Sequence, residues 1–118
     1  MRVNTRHVER AFFRSAHLRS PGRIENTFAN ESFIDELAFA AKADPAEYRL
    51  RVLKDPRGIA VIRKAMERAK WQSRVGVNPA AAGRGDVARG RGISYLRYSN
   101  NNTYVAAVAE VAVNRKTG

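Results

Sequence analysis

The sequence predicts an α+β fold, two or three helices packed with a C-terminal antiparallel β-hairpin. Three observations carry this expectation. Apolar residues recur at helical spacing between Ile24 and Ala69, Asp-Pro pairs at 44–45 and 55–56 signal helix starts, and residues 92–98 and 103–114 alternate as strands do. At 118 residues the chain has the size of one small domain.

Residues 1–8 read as a weak strand, since Val3, Thr5 and His7 alternate with polar neighbours until Val8 breaks the pattern. Glu9–Leu18 has no period, and the adjacent Phe12 and Phe13 are expected to anchor a core or an interface. Ser20-Pro21-Gly22 is a turn signal. Beyond it Ile24, Phe28, Ile34, Leu37, Ala38 and Ala41 form one apolar stripe, which predicts a helix over 23–42. The free N–H groups of its first turn should face the Arg19–Gly22 loop. Asp44 can cap a second helix, with Pro45 at its first position and Glu47 completing a capping box, over 45–53. Asp55-Pro56 repeats the signal, and Ile59, Ile62, Met66 and Ala69 predict a helix over 56–70. Its other face, with Arg57, Arg63, Lys64, Glu67, Arg68 and Lys70, reads as solvated.

Gly, Pro, Ala and Arg dominate residues 72–91, which read as a loop long for a compact domain. Gly92–Tyr98 alternates as a strand, Ser99–Asn102 turns, and Thr103–Asn114 alternates again with Val105, Ala107, Ala109, Val111 and Val113 on one side. A two-stranded hairpin is marginal by itself, and Asn114–Gly118 is turn chemistry. The expectation is therefore one partial domain over 1–118, a piece of a larger protein. It divides into a lead-in (1–19), a helical part (20–71), a loop (72–91) and a hairpin (92–118).

Composition sharpens this. Of 52 apolar residues 19 are alanine, which leaves 33 larger side chains and a thin core. Some apolar faces should then rest on something outside the chain. No apolar run approaches the ~20 residues of a membrane span. The net charge is +11, and 17 of the 22 basic residues are arginine. Such a chain attracts phosphates, nucleic acid or an acidic surface. With no cysteine, disulfides, thiolate catalysis, zinc–thiolate sites and iron–sulfur ligation from this chain are excluded. No apolar segment follows the charged Met1–Arg10, so no secretory signal is visible.

Few residues propose chemistry. His7 and His17 belong to no metal-binding motif, and Ser15, Ser20 and Ser32 lack a nucleophile elbow. Asp35 and Glu36 are neighbours that point apart on a helix and form no acid–base pair. No catalytic residue or metal ligand is assigned. The Arg/Gly-rich Gly83–Asp86 and Arg89–Gly92 could bind phosphates or serve as a solvated linker, and the linker is favoured because no aromatic residue lies between Trp71 and Tyr95. The sharpest feature is Arg19-Ser20-Pro21-Gly22, a guanidinium beside a tight turn and a helix N-terminus. It can be an anion site or an exposed arginine in an ordinary turn.

The run Leu18-Arg19-Ser20-Pro21-Gly22, with Phe28-Ala29-Asn30-Glu31-Ser32-Phe33-Ile34-Asp35-Glu36-Leu37-Ala38, resembles the molybdopterin-binding large subunits of the molybdenum hydroxylases, the xanthine dehydrogenase and aldehyde oxidase family. The likeness is strongest to the isoquinoline 1-oxidoreductase branch. It extends through Asp44-Pro45, Glu47-Tyr48-Arg49-Leu50, Gly90-Arg91-Gly92-Ile93 and Tyr104–Val111. The resemblance implies an internal segment of an oxidoreductase that hydroxylates aldehydes or N-heterocycles with water-derived oxygen. Its molybdenum cofactor, a molybdopterin, carries the difficult chemistry. The remainder of that large subunit and an iron–sulfur subunit or domain would be the partners. Arg19 falls at the family's arginine beside the cofactor, where it would hold the cofactor or a polar substrate group. Gly22 would allow the close turn. Pro21 stands where many relatives place an aromatic residue against the substrate, which puts purine-type stacking in doubt. The family's Gly-Gln-Gly pterin contact and late catalytic glutamate have no match here, and Glu31 and Glu36 are not substitutes. This chain alone is expected neither to hold the cofactor fully nor to turn over. The expected compartment is the cytoplasm, with the periplasm open for the parent enzyme.

Two other readings stand beside this one. The net charge and the Arg/Gly loop fit a small basic nucleic-acid-binding module without enzymatic activity, which predicts strongly salt-dependent binding. A stand-alone interaction protein would use the same fold without chemistry.

Overall fold

A computed structural model of the chain describes residues 4, 6, 20, 22–76, 85–98 and 102–118. Among these residues three helices, α1 (Arg23–Ala40), α2 (Pro45–Val52) and α3 (Pro56–Arg68), precede two strands, β1 (Val87–Tyr98) and β2 (Thr103–Asn114). The strands pair antiparallel as a hairpin, which makes the architecture α+β. The weak strand expected over 1–8, and Phe12 and Phe13, lie outside the described residues.

Each helix ends one or two residues before the sequence pattern does. After α1 the Ala41 N–H donates to Leu37 and the Lys42 N–H to Phe39, and Lys42 turns left-handed at φ 52°. The Asp44 carboxylate accepts from the backbone N–H groups of Ala46 (2.9 Å) and Glu47 (3.0 Å), so α2 begins at Pro45 as its cap signal dictates. Asp55 accepts from the Arg57 N–H at 3.0 Å and starts α3 in the same way. The larger correction concerns the loop expected over 72–91. β1 already begins at Val87, because Val87–Arg91 pairs with Glu110–Asn114. The Gly- and Arg-rich run has no strand pattern of its own; its β structure comes from the partner strand.

The core is small. Ala46, Ile62 and Ile93 are buried, with Leu50, Leu53, Met66, Trp71, Tyr95, Ala106 and Val108 packed around them. The α3 stripe lies on the inner face of the hairpin, and Ile62 at its centre is fully buried, worth about 2–3 kcal/mol. The α1 stripe fares differently. Ala38 is buried, but Ile24 is 65% and Phe28 75% exposed. The helix is present where its spacing predicts, while Ile24 and Phe28 are left uncovered by the described residues.

Register sorts the hairpin into two faces, since residues opposite each other share a side. Ile93 with Val108 and Tyr95 with Ala106 face α3. Gly92 with Ala109, Ser94 with Ala107 and Leu96 with Val105 face away. The valine-rich side of β2 is therefore the outer one. No helix among the described residues is long and apolar enough to cross a membrane.

Candidate functional site

Gly22 is the N-cap of α1 and has φ 71°, in the left-handed region that glycine enters without penalty. A Cβ there would lie 3.5 Å from Asn26 Nδ2, an ordinary contact, so conformation rather than space calls for glycine. Ser20 has φ 63° and its carbonyl accepts from the Arg23 N–H at 3.0 Å; the Gly22 carbonyl accepts from the Asn26 N–H at 3.2 Å. Two left-handed residues within three positions bend the chain sharply into the helix. The Gly22 cap supplies no side-chain acceptor, so the first turn of α1 keeps backbone donors for an outside acceptor, although Glu25 sets one carboxylate in the same turn. Arg19 and Pro21, the other two candidate residues of this loop, lie outside the described residues.

Beside the turn, Ser20, Arg23, Ile24, Thr27 and Phe28 form one wall of an open groove, and Leu96, Tyr98, Thr103 and Val105 form the other. Its lining is mainly apolar. At its mouth the Arg23 guanidinium lies 5.1 Å from the centre of the Tyr98 ring. A donor-bearing helix end next to an apolar groove can receive a ligand with polar acceptors on an apolar body.

The position of α1 is set by Arg49, which is buried on α2. Its Nε donates to Glu31 Oε2 at 2.9 Å and its Nη1 to Asp35 Oδ1 at 2.7 Å. The same guanidinium also donates to the carbonyls of Pro45 (3.0 Å) and Glu31 (3.1 Å). Glu31 Oε2 accepts in addition from the Tyr95 N–H of β1 at 2.7 Å. One carboxylate and one guanidinium thus tie α1, α2 and β1 together, and Glu31 is committed to that task.

A second knot closes the far end of the helical part. Besides capping α2, Asp44 accepts from Trp71 Nε1 (3.2 Å) and from the Arg74 N–H (2.8 Å). The Trp71 ring is flanked by the guanidiniums of Arg74, 5.6 Å from its centre, and Arg91, 5.3 Å away. Arg74 donates to the Arg91 carbonyl and Arg91 to the Ala69 carbonyl. Arg91 Nε lies 2.9 Å from Glu110 as an ion pair without the alignment of a hydrogen bond. Trp71 and Asp44 are 27 residues apart, and no local pattern announces their contact.

At the α3 start, Asp55 Oδ2 accepts from the Tyr104 hydroxyl at 3.0 Å and from Arg97 Nη1 at 3.3 Å. Desolvation acts to raise the Asp55 pKa, but hydrogen bonds from Tyr104, the Arg57 and Gly58 backbone and Arg97 outweigh it, and the carboxyl sits below its ordinary value of 3.8. Burial, with Asp55 nearby, pushes the Tyr95 hydroxyl above 10.0. Among the described residues no group of three or more His, Cys, Asp or Glu side chains could hold a metal ion. His7 and His17 lie outside them.

Sequence comparison places the chain beside two oxidoreductase subunits. It is 46% identical over 111 residues to a subunit of nicotinate dehydrogenase from Pseudomonas putida, a match that takes in 89% of this chain and 9% of the relative. It is 39% identical over 100 residues to the beta subunit of isoquinoline 1-oxidoreductase from Brevundimonas diminuta, across 84% of this chain and 12% of the relative. The chain thus spans about a tenth of the length of these relatives. These homologues agree with the molybdenum hydroxylase resemblance of the Leu18–Gly22 and Phe28–Ala38 runs; their two names leave the branch within that family unfixed. No family model and no solved structure matches the chain.

Proposed function

We propose that this chain is the counterpart of one segment of a molybdenum hydroxylase large subunit and supplies a cofactor-site loop without the catalytic base. The observation that carries this reading is the 46% identity, across 89% of the chain, to about a tenth of the nicotinate dehydrogenase relative. The local geometry fits such a role. The Gly22 turn delivers the uncapped end of α1 to an open groove, as a group rich in hydrogen-bond acceptors requires. In this reading Arg19 and the backbone donors after Gly22 hold the cofactor or a polar substrate atom, and Pro21 borders the substrate. A bound molybdopterin would supply the redox chemistry that introduces oxygen from water. The chain's own residues would orient that group. Glu31, tied to Arg49 and Tyr95, would brace the helix that carries the turn. The remaining cofactor contacts, the base and the iron–sulfur centres would come from elsewhere in the large subunit or its partner, and the substrate would be an aldehyde or an N-heterocycle of the nicotinate or isoquinoline kind.

The test is a chimera of the Pseudomonas putida nicotinate dehydrogenase polypeptide in which this chain replaces the matching stretch. The expected outcome is an assembled enzyme with molybdenum content close to that of the parent, and an Arg19→Ala variant with turnover lowered about 10–100-fold. A soluble chimera that loads no molybdenum while the parent loads it would overturn the reading.

The nucleic-acid reading draws on the net charge of +11 and the Arg/Gly-rich run, of which Arg89 is exposed. Against it, Arg49, Arg74 and Arg91 bond to carboxylates and carbonyls inside the fold. Oligonucleotide binding that stays tight at physiological salt would favour it; weak binding that vanishes with added salt is charge alone.

A further inference from the structure

One face of the hairpin holds no charged side chain, in a chain where 28% of residues are charged. Arg89, Arg91, Arg97 and Glu110 all fall on the opposite face. On the uncharged face Val105, Val111 and Val113 are 42%, 57% and 47% exposed, and Ala107 and Ala109 belong to the same side. Gly90 and Gly92, opposite Val111 and Ala109, keep its centre low, so another backbone can approach closely. The apolar tract does not stop at the sheet. It runs past Leu96 into the groove where Ile24 and Phe28 stand exposed beside the Gly22 turn. An exposed, uncharged and largely apolar face of this kind on a small basic protein marks an interface.

We infer that this face is the seat on which an apolar element of the remaining large-subunit polypeptide packs, alongside the groove at the Gly22 turn and leaving that groove open. The inference rests on the segment reading above. The occupant follows from two facts. The matched stretch is 9% and 12% of the two relatives, so about nine tenths of such a polypeptide is left to cover it. A second copy would bring a further charge of +11 toward the first, which opposes self-pairing.

The experiment places Ala109→Arg and, separately, Val111→Lys in two settings, this chain by itself and the chimeric enzyme. In the chain alone both positions are open to water, and the melting temperature should move by roughly 3 °C or less. In the chimera each charge would be forced into an apolar contact, and the melting temperature should fall by roughly 5 °C or more. A chimera that assembles and tolerates both charges overturns the docking face and leaves the segment reading standing. Equal losses in both settings make the positions part of the hairpin's own stability and also overturn it. Sedimentation of the chain alone as a dimer that Ala109→Arg dissociates makes the occupant a second copy, which overturns it too. If the unmodified chimera does not assemble, the segment reading and the docking face fail together.

Discussion

Arg49 is the side chain on which the arrangement of the helices depends most. Its buried guanidinium meets two carboxylates and two carbonyls, and removing it leaves the largely buried Glu31 without its cation. Arg49→Ala should therefore destabilise the fold by about 3–5 kcal/mol in urea titration. Arg49→Lys should recover only part of this, because an ammonium cannot present the same fork. Asp55 gives the pH dependence. Its carboxyl titrates lower in the folded chain than its ordinary 3.8, so its contribution is complete above that value and is lost as the pH falls through the folded pKa. Melting temperature against pH should drop below about pH 4, and Asp55→Asn should flatten that part of the curve. Some of this is readable from the sequence. Asp44 and Asp55 stand before Pro45 and Pro56 in the pattern of helix caps, and both cap helices. The other work of Asp44, accepting from Trp71 and Arg74, joins residues far apart in sequence and has no local signature.

Among the elements, α3 and the hairpin are coupled through a glycine that no turn requires. A Cβ on Gly58 would come within 2.8 Å of both Leu53 Cδ2 and Tyr95 Cζ, so the helix can approach β1 only without a side chain there. Gly58→Ala gains helix propensity yet should lose about 1–3 kcal/mol by overpacking, measured by thermal unfolding. Tyr95→Phe in the same background should recover part of the loss, since it removes the hydroxyl that crowds the site. The legibility of each element follows from where its partner lies. The α3 stripe is spaced for a core and finds one in the hairpin. The α1 stripe is spaced equally well, but Ile24 and Phe28 find no surface among the described residues to cover them. Spacing identifies the helix and not the occupant of its face. In β2, alternation locates the strand, whereas α3 packs on the side that holds Tyr104, Ala106 and Val108 and leaves the valine side outward. Val87–Arg91 is unreadable as a strand from its own residues because only pairing with Glu110–Asn114 makes it one.

At the scale of the whole molecule, the sequence offers 33 larger apolar side chains, and the described residues bury a small cluster around Ile62. With Ile24, Phe28 and Val111 exposed, this suits a chain whose apolar faces serve contacts beyond its own. The candidate loop is only partly visible in these terms. Gly22 can be read from the sequence as a turn glycine and has the left-handed conformation that role demands, while Arg19 rests on the family resemblance.

Trp71 has a practical consequence. It is the single tryptophan of the chain, held by Asp44 and flanked by Arg74 and Arg91 where α3 gives way to β1. Intrinsic fluorescence excited at the indole therefore reports one junction and nothing else. If the helical part and the hairpin come apart as a unit, the emission should shift to the red in the same transition that circular dichroism records. An earlier shift would mean that the hairpin leaves the helices before they melt.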